Sequence, residues 1–400
     1  MSWSEMEFEE LYAIPSKNGL TRPASVRGRG YKMINMGELF AHDRIGNLEM
    51  ELVQMNEKEL STMLVEPGDL LFARQSLVLA GAGKCSLVSK AEDPTTFESH
   101  LIRVRLKQEI ANPPFFHYYF KSPACRIRSI VTQGVQAGIR GNELKKLKVH
   151  VPPISEQKRI ASILAAYDDH IENNQRRIQL LDQAARLLYK EWFVHLCFPG
   201  HEHVKIKDGV PEGWEKHMLG DLCKEIRESV SPDALEADTP YIGLEHIPRR
   251  SISLTEWGTA EQVTSSKHRF RQNEILFGKI RPYFHKVGIA FVDGVASSDA
   301  IVIRPLDDVL MPLVLMTVSS DSFVAVTAQT MKEGAKMPRA DWKQMQQYIV
   351  PLPPDGLLRI FNSFIEPIVQ QLKTLSFENR QLGNARDLLL PHLMDGKVAA

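Results

Sequence analysis

The sequence lacks what would mark a membrane protein, a secreted mini-protein or a metal site. No apolar run reaches the roughly 20 residues that cross a bilayer, and the acidic opening "MSWSEMEFEE" is not a signal peptide. Cysteines are few: Cys85, Cys125, Cys197 and Cys223 are scattered, with no Cys-x-x-Cys pair. That argues against a cysteine zinc site and suits a reducing cytoplasm. Net charge is missing too, since 49 basic residues balance 49 acidic ones. Any attraction to nucleic acid must therefore come from basic residues clustered on one face.

What is present is a globular composition, 43% hydrophobic and 24% charged, over 400 residues. That length exceeds one typical core and implies two domains or more. The chain also repeats itself. "LKVHVPPISEQKRIASIL" at 147–164 matches "YIVPLPPDGLLRIFNSFI" at 348–365, a shift of 201. "PGDLLFARQ" at 67–75 resembles "QNEILFGKI" at 272–280, and "ESHLIRVRL" at 98–106 resembles "SSDAIVIRP" at 297–305. Trp3 precedes "FEEL" as Trp214 precedes "LGDL". The chain reads as two copies of about 200 residues, each a mixed α/β globule followed by a long helix, so the fold class is α+β. The predicted divisions are a first globule at 1–154, a helix at 155–196, a Pro- and Gly-marked linker at 197–213, a second globule at 214–355, and a helix with tail at 356–400.

Both long helices carry a seam with 4-3-4-3 spacing. In the first it passes through Ile160, Leu164, Tyr167, Ile171, Asn174, Ile178, Leu181, Ala185 and Leu188. In the second it passes through Phe361, Ile365, Ile368, Leu372, Leu375, Asn379, Leu382, Arg386 and Leu389. A period of 3.5 sustained over about four heptads predicts that the two helices pair as a coiled coil. The bland alternative is that each packs only on its own globule. Asn174 and Asn379 sit on the seam, where Asn costs stability and restricts register. Pro367 is expected to kink or interrupt the early turns of the second helix.

"NPPF" at 112–115 resembles the active-site motif of amino-methyltransferases that act on nucleic-acid bases. A self-contained adenine methyltransferase would use Asn112 and Phe115 and would need an S-adenosylmethionine site. Neither "GRG" at 28–30 nor "LVLAGAGKCS" at 77–86 supplies a convincing Gly-rich turn. The repeat sets Pro113 opposite Pro312 but gives Met311 in place of Asn112. The shared element is thus a helix start, with proline in its first turn and Asn112 as its cap. "HEH" at 201–203 lacks the spacing of helical metal ligands. No catalytic residue and no metal ligand is assigned.

Basic and aromatic residues do cluster. The first copy offers Arg22, Arg27, Arg29 and Lys32, with Arg74 and Arg140; the second offers Arg249, Arg250, Lys279, Arg281, Tyr283, His285, Lys286 and Arg339. Such loops suit phosphate contacts and base-edge readout, against the bland reading of solvated surface.

The whole pattern resembles the specificity subunit of type I restriction–modification systems. "VPPISEQKRIASIL…DDHIENNQRRIQLL", "GDLLFARQ" and "NEILFGKIRPYFHKVGIA" carry the resemblance, which covers nearly the whole chain. The second copy departs from it, because "PPDGLLRI" lacks the counterpart of Gln157. The resemblance implies two tandem target-recognition domains, each reading half of a bipartite sequence in double-stranded DNA. It implies that the helices form an antiparallel spacer with a pseudo-two-fold repeat. The spacer would fix the gap and dock two methyltransferase subunits, and motor-nuclease subunits would join for cleavage. The chain itself would be non-catalytic and cytoplasmic, with S-adenosylmethionine, ATP and magnesium held by its partners.

Overall fold

The computed structural model describes residues 3–134, 136–329 and 338–396. The chain divides into two compact units, Met1–His170 with Leu382–Ala400, and Ile171–Gln381. The division runs through both long helices rather than through the stretch at 197–213. That stretch, expected as a linker, is folded onto the second unit. It forms the hairpin Ile206–Lys207/Val210–Pro211, and Phe198 is buried with its ring 4.9 Å from that of Trp214. Two aromatic rings give the segment enough apolar area to be held, despite its prolines and glycines.

The first unit is built on a five-stranded sheet. Its order is Tyr12–Asn18, Leu101–Leu106, Leu70–Ala73, Cys85–Val88 and Arg44–Ile45. The second unit repeats the first four places as Cys223–Ile226, Ala300–Pro305, Ile275–Gly278 and Val287–Ile289. All three pairings within each set of four are antiparallel. The strands Leu70–Ala73 and Ile275–Gly278 are buried along their whole length, and this is why they read as unbroken apolar runs rather than as alternation. Each globule is closed the same way. Ser4–Glu7 pairs with Lys148–Val151, and Glu215–Met218 pairs with Ile349–Leu352, just before each Pro-Pro.

The long helices span Ile154–Tyr189, continued by a π-helical turn at Lys190–Val194, and Asp355–Met394. The second helix passes unbroken through Pro367, against expectation. Pro367 lies on the exposed face, so the carbonyl it leaves unbonded can be satisfied by water rather than orphaned in a core. In the first unit, Ile160 and Leu164 share a core with Leu390, Leu393 and Met394, and the Arg386 guanidinium bonds the Asp168 carboxylate. In the second, Ile178, Ala185 and Tyr189 share a core with Phe361, Ile365 and Leu372, and the Trp192 and Phe361 rings lie 5.6 Å apart. Within each unit the paired helices run antiparallel. Buried Leu164, Asn174, Ile178, Leu372 and Leu375 follow the seam, with Ile171, Leu181, Leu382 and Leu389 half-buried along it. Among the described residues no single helix is long and apolar enough to cross a membrane.

Candidate nucleic-acid interface

In the second unit the hairpin Ile275–Gly278/Val287–Ile289 ends in a loop at 279–286, with one turn of 3-10 helix at Pro282–Phe284. Arg281 (φ 50°) and His285 (φ 54°) take the left-handed conformation that ordinary residues avoid. Each costs of order 1–3 kcal/mol and persists only where surroundings impose it. Here they do. The Arg281 N–H donates to Pro338 O at 2.9 Å, and Lys279 O accepts from Ala340 N at 2.9 Å. His285, only 2% exposed, places Nε2 2.8 Å from Ser319 O and Nδ1 3.4 Å from the Asp321 carboxylate. Burial lowers the His285 pKa, so the imidazole holds the loop as a neutral ring rather than facing solvent as a cation.

The loop presents guanidinium groups and aromatic rings together. Arg249 stacks over the Phe284 ring at 4.1 Å, and Arg281 lies over the same ring at 5.7 Å. Tyr283, 52% exposed, packs edge-on to Phe284 at 5.0 Å. Lys286 donates to Leu244 O, and burial with nearby Arg249 lowers its pKa. Arg250 pairs with Asp321 at 2.7 Å and Arg339 with Asp299 at 3.3 Å. Lys279 reaches Ser298 O at 3.2 Å. The fold thus gathers all eight candidates of the second copy around one loop.

The six candidates of the first copy fall into two places. Arg22, Arg27, Arg29 and Lys32 lie on and before the strand Arg27–Ile34, where Gly28 and Gly30 have φ of 90° and 109°. A Cβ on Gly30 would fall 2.4 Å from Val53 O, so the irregular pairing with Glu51–Val53 needs glycine there. These charges are largely answered within the fold: Arg22 pairs with Glu59 at 2.5 Å, Arg27 with Glu51 at 2.7 Å and Lys32 with Asp93 at 2.7 Å. Arg74 and Arg140 lie elsewhere, beside the hairpin that corresponds to the second unit's loop. Ile139 N donates to Arg74 O at 2.9 Å, and exposed Arg140 starts the helix Gly141–Lys146. The tip of that hairpin, Leu77–Leu79, and the arginine that braces it, Arg128, carried no charge-cluster signal. Continuing the repeat from "LLFA" onto "ILFG" points to the tip, since it sets Leu77–Leu79 against the 3-10 turn Pro282–Phe284.

The NPPF segment is structural. The Asn112 side chain accepts from Phe115 N at 3.0 Å as an N-cap, and Pro113 and Pro114 open the helix Pro113–Lys121. Phe115 is fully buried between Trp3 and neighbouring rings. The Asn112 Oδ1 is thus taken up by the helix start, and the Phe115 ring by the core. Asn112 is also tied to the "QKR" motif. Gln157 Oε1 accepts from Asn112 N at 2.7 Å, and its Nε2 donates to Ile110 O and Pro152 O, both at 2.8 Å. The second copy lacks this glutamine but supplies one of its three bonds: Asn362 Nδ2 donates to Val309 O at 2.7 Å, the carbonyl corresponding to that of Ile110.

The sequence model of the type I restriction modification DNA specificity domain matches residues 2–183. The type I restriction enzyme MjaIX specificity subunit of Methanocaldococcus jannaschii is 20% identical over 375 residues, 88% of this chain and 85% of that one. The EcoKI specificity subunit of Escherichia coli K12 is 29% identical over 177 residues, 42% of this chain and 38% of that one. Among solved structures, the S subunit of a type I restriction–modification system from M. genitalium superposes with a TM-score of 0.59 at 15% identity, covering 98% of this chain and 96% of that one.

Proposed function

We infer that this chain belongs to the family of type I restriction–modification DNA specificity subunits and that each globule reads one half of a bipartite target in double-stranded DNA. The observation that carries the reading is the duplicated sheet, each copy ending in a braced hairpin tip, joined to a pair of helices long enough to act as a spacer. At 1.5 Å per residue, the 36 residues of the first helix extend about 54 Å. The helices would set the gap between half-sites and dock two methyltransferase subunits, with motor-nuclease subunits completing the complex in the cytoplasm. S-adenosylmethionine, ATP and magnesium would be held by those partners, and this chain would supply no catalytic group.

Methylome sequencing of a host carrying this chain with its methyltransferase subunit tests the reading. A methylated two-part motif with an unspecified centre is expected. The purified chain alone, given labelled S-adenosylmethionine and DNA, should transfer no methyl group. Transfer by the chain alone that Asn112→Ala abolishes would overturn the reading.

A further inference from the structure

The hairpin tip of the first unit offers hydrocarbon where the corresponding tip of the second unit offers arginine and tyrosine. Leu77, Val78 and Leu79 are 86%, 63% and 51% exposed. Single exposed leucines are ordinary, but three neighbours at one tip form a patch. The tip is also firmly held. Arg128 donates to the carbonyls of Leu79 at 3.2 Å, Ala80 at 2.8 Å and Ala82 at 3.1 Å. Val78 N donates to Ser76 Oγ at 3.2 Å, and Gly81 N to Val78 O at 3.0 Å. The strand leading into it, Gln75–Ser76, pairs with Ala137–Gly138. Such bracing keeps apolar side chains pointing outward when collapse onto the globule would hide them.

The hollow beside the tip is cationic. Lys84, Lys121, Arg126 and Arg128 line it against one carboxylate, Asp43, which pairs with Lys84 at 3.3 Å and Lys121 at 2.8 Å. Arg126 is exposed. An apolar tip in a basic surround complements a DNA groove better than it does a plain apolar partner. Cations meet phosphates, and a two-stranded hairpin fits the major groove. The apolar group displayed on a base edge there is the thymine C5-methyl.

We propose that Leu77, Val78 and Leu79 read thymine methyl groups in the major groove of the half-site bound by the first unit, with Arg126 at the flanking backbone and Arg128 as a positioning residue. The proposal rests on the reading of the chain as a DNA specificity subunit. The test uses the complex of this chain with its methyltransferase subunits, after its methylated motif has been mapped. A host without any two-part motif would sink the parent reading before this test begins. Duplexes then carry uracil in place of thymine, one position at a time, which removes only the methyl. At one or more thymine positions of one half-site, binding is expected to weaken about four-fold per methyl lost. The triple variant Leu77→Ala/Val78→Ala/Leu79→Ala should bind the thymine and uracil duplexes equally, at an unchanged melting temperature because all three side chains are exposed. The proposal fails if uracil is tolerated at every position, or if the variant still discriminates. It fails equally if the variant's only defect is loss of methyltransferase-subunit association, which would make the tip a protein contact.

Discussion

Arg281 combines two properties that can be separated by one substitution. Its φ of 50° suits glycine, and its guanidinium lies over Phe284 at the loop surface. Arg281→Gly removes the side chain while relaxing the backbone, so the melting temperature should hold or rise. If the guanidinium reads a base, the variant loses about 1–3 kcal/mol of discrimination at one position of one half-site. Uniform weakening on all sequences, measured by competition binding, would make it a phosphate contact instead. His117 governs a different quantity. It is fully buried, both ring nitrogens lack partners among the described residues, and burial holds its pKa down at about 3. The charged groups around it are Lys121, Asp43, Asp168 and Arg44. Between pH 6.5 and 3 the unfolded chain takes up a proton that the folded chain refuses, so stability falls as pH falls through that window. From this residue the loss is about 2 kcal/mol at pH 5 relative to neutral pH. Melting at pH 5 and pH 7.5 should show a smaller difference for His117→Phe than for the parent; an equal difference would clear His117 of the effect.

At the scale of elements, the two seam Asn residues fall in matching positions. Trp192 meets Phe361 in the second unit. Eighteen residues back along the first helix and eighteen forward along the second lead to Asn174 and Asn379 in the same antiparallel register. Each amide has one buried atom without a hydrogen-bond partner among the described residues, Nδ2 of Asn174 and Oδ1 of Asn379. Asn174→Leu or Asn379→Leu alone should raise stability by about 1–3 kcal/mol, because each removes a buried polar atom that has no partner among the described residues. The double substitution should melt above the parent and lose register specificity. Additive single effects would show that the amides do not couple. This seam, the repeat and the Asn112 cap were legible in the sequence because each is a local pattern of period or spacing. Other features were not. Arg22 and Glu59, or Arg105 and Asp69, are far apart in sequence, and only the fold shows their charges neutralised. Asn362 stands one turn beyond the position of the missing glutamine, where a comparison column by column looks past it. Pro367 broke no helix because its face, unreadable in isolation, points to water.

For the whole molecule the question is what the spacer measures, and the size of an insertion decides how to ask it. A heptad added to each helix preserves the seam and adds about 10 Å, but turns each helix by about −20° net. Three base pairs of similar rise turn DNA by roughly 100°, so the two would fall out of phase. Four residues add about 6 Å and about 40°, against roughly 7 Å and 70° for two base pairs. The four-residue stutter costs local unwinding of the seam, which coiled coils tolerate. Inserted into both helices, after Asn174 and after Asn379, it should leave both half-sequences of the methylated motif unchanged and widen the gap by about two base pairs. Methylome sequencing of a host carrying the variant reads both quantities at once. Altered half-sequences around an unchanged gap would mean that the globules, and not the helices, determine the spacing.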